Sequence, residues 1–349
     1  MSENICRSGV NLGGWISQYH RYDHEHFKTF ITAPDIRRIA DWGFDHVRLP
    51  VDYPVLEDDD RPGVYKESGL AYMDACIAWC KANGLRVVLD LHHAPGYSFT
   101  QTLEGQPARI PLFDDPAYSQ RFINLWTMLA RRYLGEGDGV ILEFLNEIEL
   151  PDVTPWNILA RRTVEAIRQV APTSPVMIGG NHYNAASELS NIIRLDDLHI
   201  QYTFHFYEPL LFTHQKAQWA RVARDHNTTI EYPGSVPGLA DLFERKPEYR
   251  RDHQHLLSQR MDQDLLRQYL QPVVAFIQET GHRPYCGEYG VYEKAPMPSR
   301  LNWYRDFLAL LDEYEIGRAA WSYKGMGFGL VDEHGDVVND ELIRVIAGK

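Results

Sequence analysis

Cysteine is scarce in this chain: Cys6, Cys76, Cys80 and Cys286 are all there are in 349 residues, and no two of them form a Cys-x-x-Cys pair. That leaves little basis for a zinc site, and Cys76 and Cys80, spaced i, i+4, read as reduced structural thiols on one helix face. Positive charge is also in short supply, with 35 Lys and Arg against 48 Asp and Glu and a net charge of −13. A nucleic-acid backbone is therefore not an expected partner, whereas a neutral ligand meets no repulsion. No apolar run reaches the roughly 20 residues of a membrane helix, so no membrane partner is expected. Met1 to Arg7 lack the apolar core of a secretory signal, and the expectation is a cytoplasmic protein whose first strand begins near Ile5. Repeats, low-complexity tracts and linkers are absent too, so residues 1–349 read as one domain. Nothing in the sequence sets an oligomeric state.

What the chain does have is alternation. Eight short β-like runs can be picked out, at 9–11, 46–49, 86–92, 140–145, 176–179, 200–205, 284–287 and 318–322. Helical patterns with apolar residues at three- and four-residue spacing fall between them, at 34–42, 70–83, 116–134, 157–170 and 301–314, and Asn83-Gly84 is a helix stop. Eight strands alternating with helices predict an α/β protein closed as a (β/α)8 TIM barrel. The segment from Tyr207 to about Met261 breaks the pattern, with Tyr232-Pro233-Gly234 and Val236-Pro237-Gly238 inside it. It reads as an elaborated loop after strand six. Aromatics make up 12% of the residues, including 8 Trp and 20 Tyr, enough both for core packing and for stacking on sugar rings.

In such a barrel the strand C-termini carry the active site. Two of them end in glutamates, Glu147 in Leu145-Asn146-Glu147 and Glu288 in Gly287-Glu288-Tyr289-Gly290. Paired carboxylates facing across a gap are what glycoside hydrolysis needs, one as proton donor and one as nucleophile or base. Asn146 beside the first is placed to reach a sugar 2-hydroxyl. Arg48, flanked by Val47 and Leu49, needs a carboxylate partner, and Glu288 would serve. His92 and His93 end the third strand, where adjacent residues face opposite sides, so only one should aim into the mouth. His205 and Tyr207, two apart, share a face and suit the orienting of a carboxylate. Trp321 at the end of strand eight is equally a core residue or a platform for a pyranose ring.

Taken in order, Gly9-Val10-Asn11-Leu12-Gly13-Gly14-Trp15, Val47-Arg48-Leu49-Pro50, Asp90-Leu91-His92, Leu145-Asn146-Glu147, His205-Phe206-Tyr207, Gly287-Glu288 and Trp321 resemble glycoside hydrolase family 5, the cellulase-like family of clan A. The resemblance spans nearly the whole chain. It implies a retaining β-glycosidase without metal or organic cofactor, with Glu147 as acid/base and Glu288 as nucleophile. It further implies that Arg48 and Tyr207 support the nucleophile, that His92, Asn146 and His205 contact sugar or carboxylate, and that Trp321 lies beneath the sugar at the cleavage point. The first motif and Ala94-Pro95-Gly96 look most like the branch holding exo-acting β-1,3-glucanases. There a glutamate follows the tryptophan closely, whereas here Ile16-Ser17-Gln18-Tyr19-His20 follow Trp15. Gluco- and manno-configured substrates both stay open.

For a cytoplasmic enzyme the expected substrate is a short β-linked oligosaccharide or glycoside, attacked from one end, with Trp219 and Tyr232 of the long segment walling the cleft. An endo-acting β-1,4-glucanase or β-mannanase is the alternative. Two further readings are a metal-dependent hydrolase using His92, His93, His205 and a carboxylate, and an inert carbohydrate-binding barrel. The first lacks the expected His-x-His near strand one, and the intact pair Glu147 and Glu288 argues against the second.

Overall fold

In the computed structural model, which describes residues 6–102 and 109–349, eight strands pair in parallel in sequence order. They are β1 (Ser8–Asn11), β2 (His46–Asp52), β3 (Arg86–His93), β4 (Val140–Glu143), β5 (Val176–Gly179), β6 (Ile200–Phe206), β7 (Tyr285–Tyr289) and β8 (Arg318–Ala320). β8 returns to pair with β1, so the sheet closes into a (β/α)8 barrel with helices between the strands. Ile5, expected near the start of β1, lies outside the described residues.

The pleat decides what each strand contributes. Val88, Ile141, Met177, Tyr285 and Ala319, with Cys6, form a small apolar cluster of their own, while Val87, Leu89, Val140 and Leu142 belong to the large cluster shared with the helices. One pleat further along, the same inward positions of β3 and β4 carry Asp90 and Glu143, which lie side by side in register. Two residues beyond Asp90 comes His92. The inside of the barrel thus changes along the strands from an apolar plug to an ionic layer and then to the mouth.

The helices follow their local signals. Ala33–Trp42 begins with a capping box between Thr32 and Asp35, and ends on Gly43 in the left-handed region. Glu67–Ala82 stops at Asn83, as the Asn83-Gly84 pair predicts. Pro116–Arg132, Thr154–Arg168 and Met297–Glu313 match the remaining expected helices to within a few residues. Two expectations about strands need correction: β4 ends at Glu143 and β8 at Ala320, so Glu147 and Trp321 stand on the loops that follow.

The segment after β6 is not a bare loop. Short helices at Leu210–Thr213, Arg221–His226, Leu239–Arg245 and Arg250–His253 bury Leu211, Phe212, Leu242 and Phe243 among others, and Gln263–Tyr269 and Gln271–Thr280 complete the crossover to β7. Pro209 and Gly238 are the N-caps of Leu210–Thr213 and Leu239–Arg245. Tyr232 is buried and donates to Asp306 on Met297–Glu313, so it braces the segment against the barrel wall and does not line the cleft. Among the described residues no helix is long and apolar enough to cross a membrane.

Candidate active site

Arg48 stands at the centre of the ionic layer, fully buried, and its neighbours account for every N–H of its guanidinium. Nε donates to Glu143 Oε2 at 2.6 Å and Nη2 to Glu143 Oε1 at 3.1 Å. Nη1 reaches Asn11 Oδ1 at 3.0 Å and Glu288 Oε1 at 2.7 Å, and Nη2 reaches Asn146 Oδ1 at 2.8 Å with Asp90 Oδ2 at 3.1 Å. A planar five-donor fork is the side chain that can hold so many acceptors at fixed angles. Through it β1, β2, β3, β4 and β7 all bear on the orientation of Glu288 and Asn146.

Glu288 receives a second donor on its other oxygen, Tyr207 Oη at 2.9 Å. Glu147 instead faces His205, with Nδ1 2.9 Å from Oε1, and the same nitrogen lies 3.8 Å from Glu288 Oε2. An oxygen of each glutamate and this ring nitrogen all fall within 4.8 Å of one another. Tyr97 fixes the backbone beneath by donating to the Glu147 carbonyl at 2.7 Å and accepting from Glu149 N at 2.8 Å.

These environments push the two glutamates apart. Burial raises the proton affinity of Glu147, and the charge of Glu288 raises it further. Burial also raises Glu288, but the Arg48 guanidinium and the Tyr207 hydroxyl oppose it. Glu147 therefore holds the proton and Glu288 the charge. Burial keeps His205 well below the usual histidine range and takes His92 down to about 3, so both rings are neutral near pH 7.

Beneath them, burial lifts Asp90 and Glu143 each to about 7 despite the opposing charge of Arg48. The two-pronged contact of Glu143 with Arg48 favours its ionised form, which conflicts with that rise. One guanidinium cannot neutralise Asp90, Glu143 and Glu288 together, so the surplus of negative charge and the burial outweigh that contact. A carboxyl raised in the folded state stabilises the fold at low pH, and that contribution is lost as pH climbs through its folded value. The gap in thermal midpoint between wild type and Glu143→Gln should therefore narrow from about pH 5 to about pH 7 and stay constant above. Thermal unfolding across that range checks it, and a gap that widens would contradict it.

Six of the residues singled out in the sequence meet here: Arg48, Asn146, Glu147, His205, Tyr207 and Glu288. Trp321 lies at the rim, its ring parallel to His92 at 5.7 Å and 7°, and His92 is held by Asp90, Nδ1 to Oδ2 2.7 Å. Gly13 of the first motif has a packing reason, since a Cβ there would sit 2.7 Å from the Trp321 ring. His93 is not part of the cluster. Its Nδ1 lies 3.2 Å from Asp52 Oδ1, away from the two glutamates, as the strand alternation requires.

A three-histidine metal set does not assemble, because His92, His93 and His205 each face a different carboxylate. Among the described residues the convergent group is Glu147, His205 and Glu288, and Arg48 already places a positive charge on that last carboxylate. Sequence reasoning missed Glu143, Asp90 and Asn11. The available signal was a lone carboxylate at position 143 inside the apolar run 140–145, which in a barrel must find a buried cation.

A family model described as cellulase (glycosyl hydrolase family 5) matches residues 9–327. Endoglucanase C of Acetivibrio thermocellus is 45% identical over 341 residues, covering 98% of both chains. Cellodextrinase A of Ruminococcus flavefaciens is 33% identical over 311 residues, 89% of this chain and 83% of the relative. Among solved structures, an endoglucanase superposes with a TM-score of 0.80 at 21% identity, covering 99% of this chain and 98% of its own, which bears on the fold alone.

Proposed function

Because this chain belongs to glycosyl hydrolase family 5 and is a retaining O-glycosyl hydrolase, we propose that it is an endo-acting β-1,4-glucanase with Glu288 as nucleophile and Glu147 as acid/base. One observation carries the assignment of roles: the two carboxyl groups approach within 4.8 Å, yet Arg48 and Tyr207 both serve Glu288 while Glu147 has only neutral His205. Carboxyls about 5–5.5 Å apart suit direct attack, whereas inversion needs about 6.5–9.5 Å for an intervening water.

In the first step Glu288 attacks the anomeric carbon and Glu147 gives its proton to the departing oxygen. Loss of that proton, and neutralisation of Glu288 in the ester, reverse the charge relation between them. Glu147 then draws a proton from water, whose oxygen opens the ester and restores the starting state. Two displacements return the original configuration. Trp321 supplies the surface under the reacting ring, and Asn146, oriented by Arg48, is placed for the 2-hydroxyl.

Support for internal attack on β-1,4-glucan comes from the names of the relatives, endoglucanase over the full length and cellodextrinase over most of it. This replaces the expectation of attack from one end. The wall invoked for it loses Tyr232, which points into the barrel wall. A time course on cellopentaose labelled at the reducing end should show internal cuts from the earliest points, and carboxymethylcellulose should lose viscosity well before reducing ends accumulate. Release of single sugars alone would restore the exo reading.

A further inference from the structure

Glu288 sits within β7 and two side chains grip it, whereas Glu147 stands on the loop after β4, where among the described residues its carboxyl bonds to His205 alone. No strand ladder fixes that loop, so the place of Glu147 depends on what anchors residues 146–150. Asn146 N donates to Leu91 O at 3.2 Å, and Tyr97 holds Glu147 O and Glu149 N from the β3 side. The next anchors come from the residues directly after β5. Asn181 grips Leu150 with both ends of its amide, Oδ1 accepting from Leu150 N at 2.8 Å and Nδ2 donating to Leu150 O at 2.7 Å. Tyr183 N donates to Ile148 O at 2.9 Å, and His182 Nδ1 lies 3.1 Å from Glu149 Oε2.

The backbone that makes these contacts is strained. His182, Tyr183 and Asn184 have φ of 48°, 58° and 57°, the one run of three non-glycine residues in the left-handed region among the described residues. An L-residue there brings its Cβ against the following carbonyl oxygen, so the run persists only where its surroundings hold it, and such strain concentrates at functional sites. The holding groups are on both sides of the turn. Asn184 Oδ1 accepts from Gly180 N at 2.8 Å, over Gly179, whose missing Cβ would lie 2.8 Å from that oxygen. Ala185 N donates to Asn181 O and His182 O, and Ala185 then pairs in parallel with His205. One turn is thus bonded both to the loop that carries Glu147 and to the residue whose ring faces it. The groups that hold Glu288 come from elsewhere, Arg48 from β2 and Tyr207 from the end of β6.

We propose that Asn181, at the head of this turn, is a positioning residue for proton transfer: by clamping Leu150 and presenting Tyr183 N to Ile148, it sets where the Glu147 carboxyl stands against His205 and the departing oxygen. The role rests on the proposed function, in which Glu147 is the proton donor. It acts on one glutamate only. Without the clamp Glu147 drifts from the departing oxygen while Glu288 keeps its place, and a shift of about 1 Å is enough for about 10²-fold in rate. The loss falls on substrates that need a proton in order to leave.

The test measures kcat/KM, which reports formation of the glycosyl ester, for phenyl β-cellobioside and 2,4-dinitrophenyl β-cellobioside in wild type, Asn181→Ala, Asn181→Asp and Glu147→Ala. Phenolate needs protonation to depart and dinitrophenolate does not. Asn181→Ala should lose at least about tenfold more on the phenyl glycoside than on the dinitrophenyl one. Asn181→Asp is isosteric and keeps the acceptor for Leu150 N, so it should show the same preference with a smaller loss, and it keeps the test open if the alanine variant fails to fold. Equal losses on both glycosides would make Asn181 a merely structural residue and overturn the assignment, as would no loss on either. A Glu147→Ala variant that itself loses equally on both would instead remove the proton-donor reading, and the positioning role with it.

Discussion

Glu288→Ala is expected to lose hydrolysis of every β-glycoside by about 10⁴-fold or more, because no group remains to form the glycosyl ester. Glu147→Ala should behave differently. With a poor leaving group such as a cellulose chain it should lose about 10²–10⁴-fold, the usual value of a positioned proton donor. With an activated aryl glycoside the first step needs no proton, so the ester forms and then waits for water that nothing activates. Azide separates the two variants. In Glu147→Ala it attacks the ester from the face the substrate left and yields a β-glycosyl azide at a restored rate. In Glu288→Ala it fills the nucleophile's place and yields the α-anomer. Proton NMR of the products reads the outcome, and the same anomer from both variants would remove the division of roles between Glu147 and Glu288.

Arg48 should be the next most sensitive position, and in two ways at once. Removing one member of a buried ionic cluster leaves the others uncompensated, so Arg48→Met should cost about 3–5 kcal/mol of stability. Asp90 and Glu143 would then face each other without their cation. Glu288 would lose its 2.7 Å contact and Asn146 its 2.8 Å contact, and a misplacement of about 1 Å at either is worth about 10²-fold in rate. Arg48→Lys distinguishes charge from shape. A lysine restores one positive charge but cannot reach Glu143, Asn146 and Glu288 together, so it should recover stability and leave kcat low. Denaturant melts beside initial rates check this. A lysine variant with full activity would show that charge alone holds the nucleophile.

The recurrence of strand and helix along the chain was enough to foresee an eight-stranded barrel, because a strand buried on both faces and an amphipathic helix are each written in local spacing. The same holds for Glu147, Glu288, His205 and Tyr207. A residue's place at a strand end fixes its place at the mouth, and a two-residue spacing fixes a common face, as His205 and Tyr207 show by reaching one glutamate each. The sequence also pointed from Arg48 to Glu288, since a cation between apolar neighbours must find an anion.

Which other anions it would find was decided only by closure of the barrel. Asn11, Arg48, Asp90 and Glu143 come from four strands, and their meeting depends on the inter-strand registers, which set Arg48 beside Asn11 and opposite Val88, one pleat before the adjacent Asp90 and Glu143 that its long side chain reaches. No local pattern encodes those registers. Nor could periodicity resolve the segment after β6, whose helices of four to seven residues are too short to show a repeat. Its Tyr232, expected at the cleft, is turned outward by a partner 74 residues later, Asp306. Local spacing gives each side chain a face. Only the closed sheet, by setting register and bringing distant charges within hydrogen-bond distance, determines what that face meets.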